Sequence, residues 1–160
     1  MPIGLSCLNI KSLSSETLIR SFQFKILGDI TFTNYRLAKI GYVPNDLCTF
    51  CEAGSETVHQ LLYECSFSNP FWKHFENFWY TLFGQREDFT LKDVLVGRLD
   101  EKCDSLNYLF ILANLHIWTC RKRSVTPNFR VLIGMVNVKY RTEMYIAAKN
   151  NRRGKCQTKW

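Results

Sequence analysis

The sequence lacks any apolar run long enough to cross a bilayer. Its densest stretch, Leu106 to Cys120, is interrupted by Asn107, Asn114 and His116 and falls short of the roughly 20 residues a helical span needs. A membrane partner is therefore not expected. The N-terminus also lacks a basic stretch followed by a long apolar segment, so no secretory signal is visible. This predicts an intracellular location, cytoplasmic and/or nuclear, with reduced thiols. No internal repeat or low-complexity tract occurs, and 160 residues suit one compact domain or two small modules sharing a core. Carboxylates almost vanish from the last quarter. Residues 121–160 carry 11 Lys+Arg against Glu143 alone, a charge of +10, whereas residues 1–120 carry 10 against 13, or −3; the two sum to the overall +7. Such asymmetry points to a polyanion, and the plain alternative is a merely solvated helix end.

Hydrophobic residues make up 46% of the chain and aromatics 14%, enough apolar surface to offset chain entropy and form a core. The periodicity is helical throughout. Ser14-Ser15-Glu16-Thr17 opens a helix over about 15–27 with Leu18, Phe22, Ile26 and Leu27 at helical spacing, and Thr33-Asn34 opens a short one that stops before Gly41. Ser55-Glu56 is read as capping a helix with Val58, Leu61 and Leu62. Pro70, taken as a first helical position, opens an aromatic helix of Phe71, Trp72, Phe75, Phe78, Trp79 and Leu82 that runs to Gly84 and is expected to pack as core. Thr90 and Asp93 make a capping pair. Leu106 to Cys120 is apolar on most sides, and after Pro127 a helix places Phe129, Leu132, Ile133, Val136, Tyr140, Met144 and Ala147 on one face, with Arg130, Asn137, Arg141 and Arg152 opposite. The expected fold is all-α, a small helical bundle with an embedded CCHC zinc-binding turn.

Seven cysteines, an odd count in a reducing compartment, do not make a disulfide framework. Four groups instead follow the pattern C-x2-C-x7-H-x5-C: Cys48, Cys51, His59 and Cys65. Zinc takes four such ligands tetrahedrally, and a two-residue gap lets two thiolates chelate from one tight turn. His59 falls in the first turns of a helix, from which its ring can face the Cys48–Cys51 turn. Cys65, six residues on, cannot share that helical face and must sit where the helix unwinds. A redox pair and simple core packing are the alternatives. Cys7, Cys103, Cys120, Cys156, His74 and His116 lack partners at ligand spacing and read as structural.

These residues also carry a family resemblance. Phe22-Gln23-Phe24-Lys25-Ile26-Leu27, Leu47-Cys48-Thr49-Phe50-Cys51, Glu56-Thr57-Val58-His59-Gln60-Leu61-Leu62, Glu64-Cys65 and Phe71-Trp72 resemble the zinc-binding region at the C-terminus of LINE-type (non-LTR) retrotransposon reverse transcriptases. Asn107 to Arg121, Tyr140-Arg141-Thr142-Glu143 and Lys159-Trp160 extend the likeness. It divides the chain into a zinc-binding region over 14–84 and a C-terminal helical region with a basic tail over 85–160. It implies a segment that helps hold template RNA or target DNA, behind an upstream polymerase against which it packs. No aromatic-x-Asp-Asp motif is present, so the paired carboxylates of a polymerase are missing, and the chain resembles a truncated copy.

The expected function is a non-catalytic, zinc-stabilised module that binds RNA or single-stranded DNA and takes no small-molecule substrate. The expected phosphate contacts are Arg121, Lys122, Arg123, Arg130, Arg141, Lys149, Arg152, Arg153 and Lys155. Two other readings stand beside it. One is a protein-interaction or structural remnant; the other is a metal-dependent nuclease using Asp100 and Lys102, for which the surroundings lack the strand pair that would align carboxylates.

Overall fold

The structure is a computed structural model that describes residues 17–98 and 104–150. The described residues are mainly helical, and an isolated bridge between Leu47 and Ser55 is their one element of extended pairing. α1, Thr17–Leu27, buries Ile19, Phe22, Gln23 and Ile26 along one stripe and stops at Gly28 and Asp29, the latter with φ 46°. Its proposed cap, Ser14 to Glu16, lies outside the described residues. α2, Asn34–Lys39, is short and buries nothing. A π turn, Gln60–Glu64, follows. α3, Ser68–Phe83, starts two residues before Pro70 and ends on left-handed Gly84, φ 71°. Pro70 therefore sits inside the first turn, where its missing N–H leaves no intrahelical bond unmade.

α4, Leu91–Val96, is opened by a reciprocal capping box in which the Asp93 N–H donates to Thr90 Oγ1 at 3.2 Å and the Thr90 N–H donates to Asp93 Oδ2 at 3.0 Å. α5, Asp104–Lys122, is the central helix and packs against α1, α4, the π turn and α6. α6, Phe129–Lys149, starts where Asn128 Oδ1 accepts the Arg130 N–H at 2.9 Å.

The core is aromatic. Phe75, Phe89 and Phe110 meet pairwise with centroids 5.1–5.6 Å apart, and Phe129 of α6 packs edge-on against Phe71 and Phe75, distances at which such pairs add stability beyond area burial. Leu82, assigned to this core from its spacing, is instead 56% exposed. The burial of α3 is confined to Phe71, Trp72 and Phe75 among its aromatics, because its far end extends past the helices it packs on.

Buried amides fasten the short α4, which could not cap its own last carbonyls. Gln23 of α1 donates to Leu95 O and Asn114 of α5 to Val94 O, both at 2.8 Å. Asn107 receives the Arg98 N–H and donates to Arg98 O. Polar residues in otherwise apolar helices thus close backbone accounts.

His116 is buried between α3 and α6. Its ring stacks on Phe71, its Nε2 accepts the Asn128 N–H at 3.3 Å and Cys120 Sγ lies 3.6 Å away. The structural role expected for His116 and Cys120 agrees with this packing. Burial holds the imidazole below the usual value of 6.5, so the unfolded chain binds a proton there that the folded chain refuses. Stability therefore falls as pH drops through 6.5 toward the folded value. The His116→Gln variant is expected to lose less stability than the wild type between neutral pH and about pH 5, as read by urea unfolding; equal losses would show that His116 is not responsible.

Candidate metal centre

The chain from Asp46 to Glu56 forms a small knuckle. Leu47 pairs with Ser55, the Cys48 N–H donates to Gly54 O at 2.8 Å, and the Glu52 N–H donates to Cys48 O at 2.9 Å. Glu52 reverses the chain with φ 52°, a left-handed conformation that costs a side-chain-bearing residue energy. The tight reversal turns both thiols to one side. Cys65 reaches them from the far end of the π turn, where the Cys65 N–H donates to Gln60 O at 2.8 Å and the backbone then becomes extended, φ −58° and ψ 138°. The unwinding required by the six-residue spacing is this π turn.

The Sγ atoms of Cys48, Cys51 and Cys65 all lie within 4.8 Å of one another. Cys48 and Cys65 are fully buried, with their sulfurs 3.8 Å apart. A tetrahedral centre with metal–sulfur bonds near 2.3 Å has sulfur–sulfur edges of about 3.8 Å. The three cysteines could hold a metal ion. Burial pushes the Cys48 thiol up to about 12, against backbone N–H groups of Cys51 and Phe50 that favour its thiolate. Burial also acts to raise Cys51, but there the Ala53 N–H, the thiols of Cys48 and Cys65 and the Gln60 amide together lower it. Donors aimed at sulfur suit thiolates, and thiolates are the form that binds metal.

His59 stands at the N-terminal end of the π turn, exposed, and its ring is not among the converging atoms. The adjacent Gln60 reaches Cys51 Sγ with its Nε2 at 3.5 Å. Of the other imidazoles, His116 is packed as described and His74 stacks on Phe129.

The cations assigned to phosphate contact divide. Lys122, Arg123, Arg130, Arg141 and Lys149 are exposed; Arg152, Arg153 and Lys155 lie outside the described residues, as do Asp100 and Lys102. Arg121 is committed elsewhere. Its guanidinium, with the side chain only 13% exposed, lies 3.0 Å (Nε) and 2.8 Å (Nη2) from Glu56 Oε1 and donates from Nη2 to Asn34 Oδ1 at 2.8 Å. Glu56 in turn is wholly buried. Its Oε1 also accepts the Asn34 N–H at 2.9 Å and its Oε2 accepts the Thr49 N–H at 2.7 Å and the Thr49 hydroxyl.

The Ser55-Glu56 cap read from the sequence does not form: Glu56 is a clamp, Ser55 Oγ donates to Asp46 Oδ2 at 2.5 Å, and Thr57 Oγ1 takes the capping role by accepting the Gln60 N–H at 3.1 Å. Nothing local to Glu56 announces a partner 65 positions away.

Removing one member of a buried, hydrogen-bonded ion pair strands the other, at a cost of about 3–5 kcal/mol. Glu56→Ala is expected to destabilise the fold by that order, and Glu56→Met combined with Arg121→Met to destabilise it much less; a denaturant double-mutant cycle measures both. No protein-family model matches the chain, and no curated protein sequence matches it significantly.

Proposed function

We propose that the protein is a zinc-stabilised nucleic-acid-binding module without catalytic activity, as its resemblance to retrotransposon reverse-transcriptase C-termini implies. Cys48, Cys51 and Cys65 would hold zinc together with His59, the imidazole that no ring packing engages among the described residues. A three-sulfur, one-nitrogen set is closed to water and structural, and the ion would supply folding free energy to the knuckle.

The observation that carries the nucleic-acid reading is charge. Over residues 121–150 seven Lys+Arg face Glu143 alone, and five of the seven are exposed at the end of α5 and along α6. Phosphate contacts made by such cations set affinity without reading sequence.

Purified protein is expected to carry one zinc per chain. Cys48→Ser and Cys65→Ser should each abolish it, and His59→Ala should weaken it more than Gln60→Ala, all read by metal analysis after dialysis against a chelator. Zinc-free wild-type protein would remove the metal half of the reading. If Lys122, Arg123, Arg130, Arg141 and Lys149 all engage phosphates, log affinity for single strands should fall with log salt at a slope of about −3.5, from −0.7 per contact. Replacing Lys122 and Arg123 by Ala should flatten it by about 1.4. Zinc-loaded protein that binds no RNA or DNA at low salt would favour the protein-interaction reading.

A further inference from the structure

α1, the chain from Ile30 through α2 to Tyr42 and the end of α5 line a cleft of about 610 Å³. Its walls are unusual for a surface. Phe32 is 64% exposed and Tyr42 78%, and Leu18 and Ile40 are similarly bare. Exposed apolar side chains are ordinary when scattered, but a contiguous group around a concavity marks a binding surface. The charge of the lining has one sign. Lys25, Arg121 and Lys122 contribute cations, and no carboxylate lines the cleft among the described residues. The guanidinium of Arg121 and the ammonium of Lys122 lie 4.9 and 5.8 Å from the centre of the Trp118 ring, itself part of the wall. With Arg121 neutralised by Glu56, Lys25 and Lys122 remain as exposed charges.

An occupant must therefore be apolar on its faces and anionic on its backbone. Unpaired nucleotides meet both conditions, because every base has a stackable face and every linkage a phosphate. A duplex meets only the second. The position of the cleft adds to this: Lys122 belongs both to its rim and to the run of exposed cations that continues through Arg123 into α6.

We propose that this cleft is the base-binding site for single-stranded nucleic acid, with bases stacked on Phe32 and Tyr42 and phosphates on Lys25 and Lys122. The proposal rests on the nucleic-acid reading and extends it from phosphate contact to base contact. It predicts preference for single strands with little sequence preference, since stacking tolerates any base.

The test compares two fluorescent probes of equal phosphate number, a short deoxythymidine oligonucleotide and the same backbone made wholly abasic, on full-length protein at low salt. The thymidine probe is expected to bind at least about fivefold more tightly, the lower end of base–aromatic stacking. Phe32→Ala and Tyr42→Ala, both at exposed positions, should each shrink that ratio, and the double variant should erase it. Lys25→Ala should weaken both probes alike.

If both probes bind wild-type protein equally, the cleft proposal is overturned while phosphate binding stands. If neither binds, both fall. If polyglutamate displaces the thymidine probe as well as unlabelled oligonucleotide does, the cleft takes acidic polypeptide and the proposal is likewise overturned.

Discussion

The Glu56–Arg121 ion pair is the joint on which this small protein is assembled. The knuckle closed by Glu52 and Gly54 touches the helical core through Cys48, Phe50 and Cys51, but α2 has no fully buried residue to fix it in place. Glu56 solves this by placing one buried carboxylate where three separate pieces of chain present donors: Thr49 within the knuckle, Asn34 at the start of α2, and Arg121 at the end of α5. Asn34 then closes the circuit by donating to Leu47 O at 2.7 Å while accepting from Arg121. A buried ion pair is weak support for stability by itself, since desolvation offsets attraction. Here every charged oxygen is hydrogen-bonded, and what the pair supplies is position.

The π turn is the second constraint. An ordinary helix from His59 onward would carry Cys65 to a different face from the knuckle, and the i→i+5 bond from Cys65 to Gln60 O adds the residue that brings it back. Such turns leave carbonyls poorly matched, and the neighbouring helix completes them. Ser68 Oγ donates to Leu61 O and Trp72 Nε1 to Leu62 O, both at 2.6 Å. Trp72 is therefore a core residue and a support of the sulfur cluster at once, which ties the aromatic packing of α3 to the geometry of the three thiols.

Much of the helical layout was legible from periodicity and punctuation. Thr90 with Asp93 formed the capping box that its spacing announced, Gly84 ended α3 in the left-handed conformation that favours glycine, and the apolar character of α5 on most sides marked it as buried there. The convergence of Cys48, Cys51 and Cys65 followed from spacing alone. What spacing could not convey was long-range pairing. Glu56 looks like a helix-capping acid and Arg121 like the first of three surface cations, and only the fold brings them together. Leu82 shared the helical stripe of Phe71 and Phe75 but not their partner, because periodicity gives the face of a helix and not how far along it the neighbour extends. His59 shows a similar limit: spacing placed it in the first turns of a helix with its ring able to face the cysteine turn, and the converging ligand atoms are those of the three cysteines.

The cysteine knuckle and the cleft are joined by one hydrogen-bonded network. Thr49 lies between Cys48 and Cys51, so the carboxylate that holds its N–H is anchored at the sulfur cluster. The same carboxylate holds Arg121, whose guanidinium lies over the Trp118 ring that forms one wall of the cleft. Arg121 is thereby removed from the charge offered to solvent, and the basic end of α5 is reduced by one cation that the sequence had counted. In exchange, Trp118 and Lys122 are set on an element whose end is fixed by a buried ion pair, so the wall and the cation of the cleft keep their relation to each other. A site that must place an aromatic face and a positive charge a few ångströms apart gains more from that fixed relation than from one further exposed arginine.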